Sequence, residues 1–596
     1  MHPRPQLTRE NWQDLSGTWG FAHDDGDVGV LERWWEREFD RDIIVPFPPE
    51  SRASGVHDPA PHPIVWYRKE FTAPVGDRVI LHFGAVDYRA TVWVNGHQMA
   101  THTGGHVPFQ VDITAVLGEG PQVVVVRAED RLDDLTQPRG KQFWKPEPEA
   151  IWYHRTTGIW QPVWLEAVPA THIEALAWTP DWADGSVGLR LEVAGPTAGL
   201  SVRLRLRVGD RELADDRYRC DDGPLVRQVA LPGARDGLQW SPANPVLIDA
   251  TLDLLREGAV VDTVTSYFGL RDVGVRDGRF VLNGDRVFLR MVLAQGYWPE
   301  SHLAAPSEDA LRREVSLIKE LGFNGVRIHQ KVEDPRFLYW CDRLGLVVWG
   351  EMASAYEYSA DGVARFTAEW LSVVRRDYSH PSVVTWVTAN ESWGVPALDR
   401  DPRQRHFLES LYHLTHAVDA TRPVISNDGW EHATSDIWGV HDYSPDAGGL
   451  TARYGTAEAV ARTMGPDWPG PRRIHLGDPS RAGQPLMISE FGGLSYVPSA
   501  GERWFGYRTV PDGDALVTIY GELVAAMLAS EQVAGYCYTQ LTDTEQEVNG
   551  LLTEAREPKV DAARIREINQ APAASVPPEQ LHLLIAEAHR RARGDT

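Results

Sequence analysis

Apolar residues alternate with polar ones through the first 168 positions. Short runs of this kind recur in "VWYRKEFTA" (65–73), "RVILHFGAV" (78–86), "ATVWVNGHQMA" (90–100), "VPFQVDITAVL" (107–117), "QVVVVRAED" (122–130) and "PVWLEAV" (162–168). A period of two places one face of a strand on a core. Turn residues such as Asn95-Gly96 and Gly104-Gly105 separate the runs, so residues 1–168 predict a β-sandwich of jelly-roll type. A second β-block covers 169–273, with "SVGLRLEVAG", "LSVRLRLRVGD" and "VLIDATLDLLREG" among its strands. Its size fits an immunoglobulin-like sandwich without the Cys…Trp…Cys spacing of a true one.

From 274 to 596 the period changes. Strand-like runs now alternate with helical patterns: "VFLRMVLAQ" (287–295), "GVRIH" (325–329), "LVVWGEM" (346–352), "VVTWVTANE" (383–391), "PVISND" (423–428), "IWGVHDY" (437–443), "PLMISEF" (485–491) and "VAGYCYTQL" (533–541). The intervening helices carry stop and start signals. Ser307 is placed to cap "SEDALRREVSLIKELG", Asp334-Pro335 opens "DPRFLYWCDRLG", and "DGDALVTIYGELVAAMLASEQ" is a third. Eight strand–helix repeats predict a (β/α)8 barrel. An open doubly wound sheet would want a glycine-rich first turn, and none follows the first strand.

A barrel presents its chemistry at the C-terminal ends of its strands. Those ends carry His329, Glu351, Asn390 with Glu391, His441-Asp442-Tyr443, Glu490 and Gln540. Glu391 and Glu490 come from the fourth and seventh strands, nearly opposite each other, so their side chains can converge over the axis. A glutamate after a strand is most often a solvated loop residue or a helix cap. For Glu351 that reading weighs as much as a supporting role. It is weaker for Glu391, between Asn390 and Trp393, and for Glu490, which "MISEFGG" sets among apolar residues. Two carboxylates roughly 5 Å apart over one site are the equipment of glycoside hydrolysis, one attacking the anomeric carbon and one protonating the leaving oxygen. Both cannot ionise cheaply at that distance, so one pKa is expected to rise. A metal centre from His329, His441 and Asp442 has no HxH or HExxH spacing behind it. No metal and no cofactor is expected.

Composition narrows the partners. A net charge of −25 argues against nucleic acid and anionic membranes. No run of apolar residues is long enough to span a bilayer, and "MHPRPQLTRENWQDL" has no signal-peptide core. The 3 cysteines are too few and too isolated for a disulfide framework, which leads to the expectation of a cytoplasmic protein. The chain has 23 Trp and 18 Tyr, residues whose flat faces pack on sugar rings, although most will serve the β-cores.

The chain resembles glycoside hydrolase family 2, the β-galactosidase and β-glucuronidase group. "TTGIWQPVWLE" (156–166), "YFGLRDV" (267–273), "NGVRIHQ" (324–330), "CDRLGLVVWGEM" (341–352), "TWVTANES" and "MISEFGG" carry the resemblance, in the family's order and over nearly the whole chain. It implies the same three domains, and a retaining reaction with Glu391 as acid/base and Glu490 as nucleophile. It also implies that Asn390 meets the sugar 2-hydroxyl, that Tyr443 sits by the nucleophile and that Arg327 keeps Glu490 ionised. Substrate contacts are expected from Asn390, Arg327, His329, Tyr443, Trp393, Trp349 and Gln540, with Trp298, Trp152 and Tyr153 as further candidates for the pocket wall. The family is often oligomeric, so a homo-oligomer is expected.

Three departures bear on the substrate. The first strand ends in "LAQGYWPE", the family's second-strand histidine falls at Gln330, and the glucuronidase-type Asn-x-Lys appears as "EVN" (547–549). Without that lysine, and at this net charge, a small neutral glycoside or oligosaccharide of galactoside type is expected. A furanoside, an arabinoside or a β-glucuronide are the alternatives, and a non-catalytic sugar-binding protein or a metal-dependent hydrolase the rival classes.

Overall fold

The computed structural model describes residues 1–220, 223–233, 237–465, 472–476, 483–496, 505–579 and 581. Two antiparallel sheets form the first unit. One runs Trp12–Asp14, Val163–Val168, Arg78–Phe83, Phe109–Asp112, and the other Arg41–Val45, Gly17–His23, Ile64–Phe71, Gln122–Glu129, Arg89–Val94, His97–Thr103. Alternate residues face the space between them: Val65 and Tyr67, Val92 and Val94, Val124 and Val126, Leu81 and Phe83 are all buried in one cluster. A three-stranded sheet and a four-stranded sheet follow, and Val187, Leu189 and Leu191 meet Val202, Leu204, Leu206, Leu252 and Leu254.

The third unit is a nearly closed parallel barrel of eight strands: β1 Leu289–Ala294, β2 Gly325–Ile328, β3 Val347–Glu351, β4 Val383–Val387, β5 Val424–Ile425, β6 Trp438–Asp442, β7 Leu486–Gly492 and β8 Val533–Thr539. Neighbours pair in chain order and β8 closes on β1; among the described residues no ladder joins β5 to β6. The caps read from the sequence are in place. Ser307 accepts from the Ala310 N–H ahead of helix Glu308–Glu320. Asp334 accepts from the Arg336 N–H ahead of helix Pro335–Leu344, which ends on Gly345 in the left-handed conformation.

Two apolar layers fix which side chains face the axis. Leu289, Met291, Leu293, Val347, Trp349, Val384, Val387 and Met487 form the interior cluster. Val292, Val326, Ile328, Val348, Trp386, Val440 and Ile488 pack outward under the helices. With Val326 and Ile328 outside, Arg327 between them must point in. Val440 outside likewise sends His441 in and Asp442 out, where Asp442 binds Arg453 and Tyr454. Strict alternation would turn Glu490 outward beside Ile488. The β7–β8 ladder is interrupted between Ile488 and Phe491, and this irregularity lets Glu490 turn into the mouth.

Candidate active site

Arg327 is the hub. Its guanidinium has no exposed surface, and every arm is used. Nε donates to Glu351 at 2.7 Å, Nη2 to the Asn390 amide oxygen at 2.7 Å, and Nη1 to Glu490 at 3.1 Å and the Ser489 carbonyl at 3.2 Å, while Asp428 forms an ion pair with Nη1 at 2.7 Å. Burial alone would lower its pKa; the surrounding carboxylates raise it well above the ordinary value. Asp428, at the end of "PVISND", is pushed up by its own burial but held far below the usual carboxylate range by Arg327 and His441. Glycine is required at 439, because a Cβ there would lie 1.6 Å from the Asp428 Oδ1.

Glu391 is reached through a strained loop. Glu391 and Ser392 both adopt the left-handed conformation, at φ 52° and 59°. Such a backbone costs about 1–2 kcal/mol per residue. It is held by the Asp428 carbonyl, which accepts from the Glu391 N–H at 2.9 Å, and by the Asn427 side chain, which accepts from the Ser392 N–H at 3.0 Å.

The two glutamates converge. One carboxylate oxygen of each, with one ring nitrogen of His441, lie within 4.8 Å of one another. His441 Nδ1 is 2.7 Å from Glu391, and its Nε2 is 3.0 Å from Asp428 and 3.3 Å from Glu490. Burial pushes the imidazole pKa down, but the Glu490 charge and the hydrogen bonds to Asp428 and Glu391 overcome it and lift it to about 10. The ring therefore carries both protons at neutral pH. Glu391 is pushed up by burial, yet the His441 bond and charge keep it below the usual range. The rise expected on one carboxyl of the pair does not fall on Glu391; the raised group beside it is His441. Tyr443 donates its hydroxyl to the other Glu490 oxygen at 2.5 Å and stacks on Tyr507 at 3.6 Å.

The remaining expected residues divide. His329 is buried, 3.2 Å from Glu351, and burial together with Arg327 drives its pKa well below the ordinary value, so it is neutral. Gln540 is fully buried and accepts from the Gln295 amide at 2.7 Å. Trp393 is half-buried and meets Trp152 and Tyr356, each at 5.4 Å. Trp349 corrects the expectation of a sugar contact: it is 0% exposed, an inward residue of β3 packed in the barrel interior, and offers no face to a ligand. Trp298 is covered by the Arg556 guanidinium at 3.6 Å, and the Tyr153 hydroxyl is bound to Glu547. Asp442 faces away from His441, so the three-residue metal set does not converge.

Asp428 and His441 do work at the site that the sequence reading gave to neither, although both stand at strand ends. The first unit contributes as well. Its segment before Gly158 crosses onto the barrel mouth, where Arg139 and Gly140 donate their N–H groups to the Ser354 carbonyl at 3.0 Å each and the Tyr356 hydroxyl donates to the Gly140 carbonyl at 2.6 Å.

Family models describe the same arrangement. The glycosyl hydrolases family 2 sugar binding domain matches residues 12–145, the family 2 domain that follows it matches 171–271, and the family's TIM barrel domain matches 273–492. The chain belongs to glycoside hydrolase family 2. It is a glycosidase. A putative β-glucuronidase of Formosa agariphila is 26% identical over 72% of this chain and 51% of its own length. The β-glucuronidase of Canis lupus familiaris is 28% identical over 72% of this chain and 71% of its own. The chain thus spans about half of one of these relatives and under three quarters of the other. The solved structure of Bifidobacterium dentium β-glucuronidase complexed with coumarin-3-O-glucuronide superposes with a TM-score of 0.76 at 20% identity, over 95% of this chain and 98% of that one, a likeness of fold. Among the described residues no helix is long and apolar enough to cross a membrane.

Proposed function

We propose that the protein is a retaining exo-β-glycosidase with Glu490 as nucleophile and Glu391 as acid/base, acting on small β-D-glucuronides. The separation of the two carboxylates carries the mechanism. Oxygens within 4.8 Å suit direct attack, whereas an inverting pair needs about 6.5–9.5 Å for an intervening water. Glu490 attacks the anomeric carbon as the bond to the aglycone breaks, and the leaving oxygen takes a proton from Glu391. That proton reaches Glu391 from His441 through their 2.7 Å bond, so the first step leaves Glu391 a carboxylate and the ring neutral. Esterification removes the Glu490 charge, which is the largest influence raising the His441 pKa, so the ring loosens its proton as Glu391 gives one up. Water then attacks the glycosyl-enzyme, Glu391 takes its proton, and Glu490 is released.

The sugar rests on the named relatives. The proteins of Formosa agariphila, Canis lupus familiaris and Felis catus, each matched over 72% of the chain, are β-glucuronidases or a putative one, which favours a glucuronide over the neutral galactoside expected from the sequence. A galactoside remains the second reading, because no lysine stands at 547–549.

The test uses p-nitrophenyl β-D-glucuronide and β-D-galactoside. Glu490→Ala is expected to lose all measurable turnover with its melting profile intact. Glu391→Ala, given azide, is expected to yield a β-glycosyl azide. An α-azide, or an active Glu490→Ala, ends the assignment; turnover of the galactoside alone ends only the choice of sugar.

A further inference from the structure

Lys141 brings an ammonium group from the first unit to the barrel mouth. It follows Gly140, whose left-handed backbone (φ 60°) lies so close to β2 that a Cβ would stand 2.1 Å from the Gln330 carbonyl oxygen. The hydrogen bonds to Ser354 and Tyr356 fix this segment, and the Gln142 amide, one residue on, donates to Asp87 at 2.8 Å. Lys141 is 6% exposed. Its Nζ lies 5.9 Å from the Tyr153 ring centroid and makes no hydrogen bond or ion pair among the described residues. The Tyr153 hydroxyl binds Glu547, and the charges that act on Lys141 are those of Glu547 first and then of Glu490, Glu391 and Glu351. Burial pulls its pKa down, and these acids oppose that.

A buried charge without a partner is costly unless a ligand or water completes it. Three other cations at the mouth already have partners among the described residues. Arg327 and His441 are surrounded by carboxylates, and Arg139 donates to the carbonyls of Arg131, Leu132 and Asp134. Glu547 is the nearest source of repulsion to an anion, but both its oxygens are engaged, one by the Tyr153 hydroxyl and one by the Asn549 amide at 3.1 Å. Burial also pushes its carboxyl up.

We propose that Lys141, delivered from the first unit, binds the carboxylate of a uronosyl substrate and so selects uronides over neutral sugars. This rests on the reading of the site as a β-glycosidase acting on glucuronides. It fills in space the position that is empty in sequence at 547–549. It also makes the site incomplete without the first unit, because the selecting cation and the catalytic acids lie on different domains.

Four p-nitrophenyl β-glycosides test it, in two matched pairs that differ only at C6: D-glucuronide with D-glucoside, and D-galacturonide with D-galactoside. The full chain and its Lys141→Met and Lys141→Arg variants are compared. Loss of one charged hydrogen bond predicts a fall in kcat/KM of about 10- to 100-fold on the uronide, carried mainly by KM. The neutral partner should change by less than about 3-fold, and Lys141→Arg should recover part of the loss. Equal losses on both members of a pair, or none, would overturn the role of Lys141 while leaving the glucuronidase reading standing. A wild-type chain that hydrolyses neutral sugars and no uronide removes that reading and the inference with it. Melting profiles of both variants separate a folding defect from a lost contact, and a variant that misfolds only as methionine is judged on the arginine form.

Discussion

His441 lies 2.7 Å from Glu391 through Nδ1 and 3.3 Å from Glu490 through Nε2, so one imidazole touches both carboxylates of the pair. A proton on the ring neutralises part of the repulsion between two acids that must work side by side. It also ties their titrations together, so the pH dependence belongs to the group and not to either glutamate.

Replacing the ring should therefore move the pH profile. In the wild type the acid form is backed by an imidazole whose pKa is about 10. In His441→Gln only Glu391 remains to hold the proton. The alkaline limb of kcat/KM is expected to shift to lower pH, with the optimum following it. A pH–rate profile on one aryl glycoside decides this, and an unmoved limb would show that His441 does not share the catalytic proton.

The same ring links pH to stability. Its folded pKa of about 10 exceeds the ordinary 6.5, so it contributes stability that is fully present below pH 6.5 and lost as the pH rises through about 10. Denaturant midpoints should fall between pH 6.5 and 10 more steeply for the wild type than for His441→Gln. The difference between the two curves isolates His441 from lysines and tyrosines that titrate in the same range.

Much of this site was legible in the chain, for a physical reason. Strand–helix alternation with polar residues at the strand ends is a local pattern, and it leads to Asn390, Glu391, Tyr443 and Glu490 without coordinates, whereas Arg327 entered only through the family resemblance. Trp349 misleads because its place on β3 looks like a strand end, while the period of two sends it into the barrel interior. Lys141 was invisible for the opposite reason. It belongs to a loop of the β-sandwich, and only the packing of Gly140 against Gln330 brings it over a barrel far along the sequence. A search for a lysine confined to 547–549 cannot find a cation supplied from another domain. Glu490 shows a third limit, since alternation alone would have faced it outward.

The two tryptophans should respond differently to truncation. Trp393 is half-buried in an aromatic rim with Trp152 and Tyr356, suited to the aglycone. Trp393→Ala is expected to raise KM for aryl glycosides by about 10-fold, the worth of one aromatic contact, with kcat little changed. Trp349→Ala is expected to cost about 3–5 kcal/mol of stability, as core Trp truncations do. Steady-state kinetics and urea titration on the two variants check this, and exchanged phenotypes would reverse the placement.

Arg327 joins stability to chemistry. Arg327→Met leaves Glu351, Asp428 and Glu490 buried without their cation, and loss of one partner from a buried ion pair costs about 3–5 kcal/mol. Arg327→Lys keeps the charge but cannot reach three carboxylates and Asn390 at once. It should unfold at denaturant concentrations between those of the wild type and the methionine variant, with activity nearly as low as the latter's.

Tyr443 bears on the second half of the reaction. Its hydroxyl donates to Glu490 at 2.5 Å, while its ring is held by the stack on Tyr507. Phenylalanine keeps the stack and removes the donor. Without it the Glu490 carboxylate is less stabilised as it departs from the anomeric carbon, so breakdown of the glycosyl-enzyme slows. A charged hydrogen bond of about 1.5–3 kcal/mol predicts a fall in kcat of about 10- to 100-fold. KM should fall with it, because the covalent intermediate accumulates, and a pre-steady-state burst of nitrophenol should appear. A variant with lowered kcat, unchanged KM and no burst would assign Tyr443 to glycosylation instead.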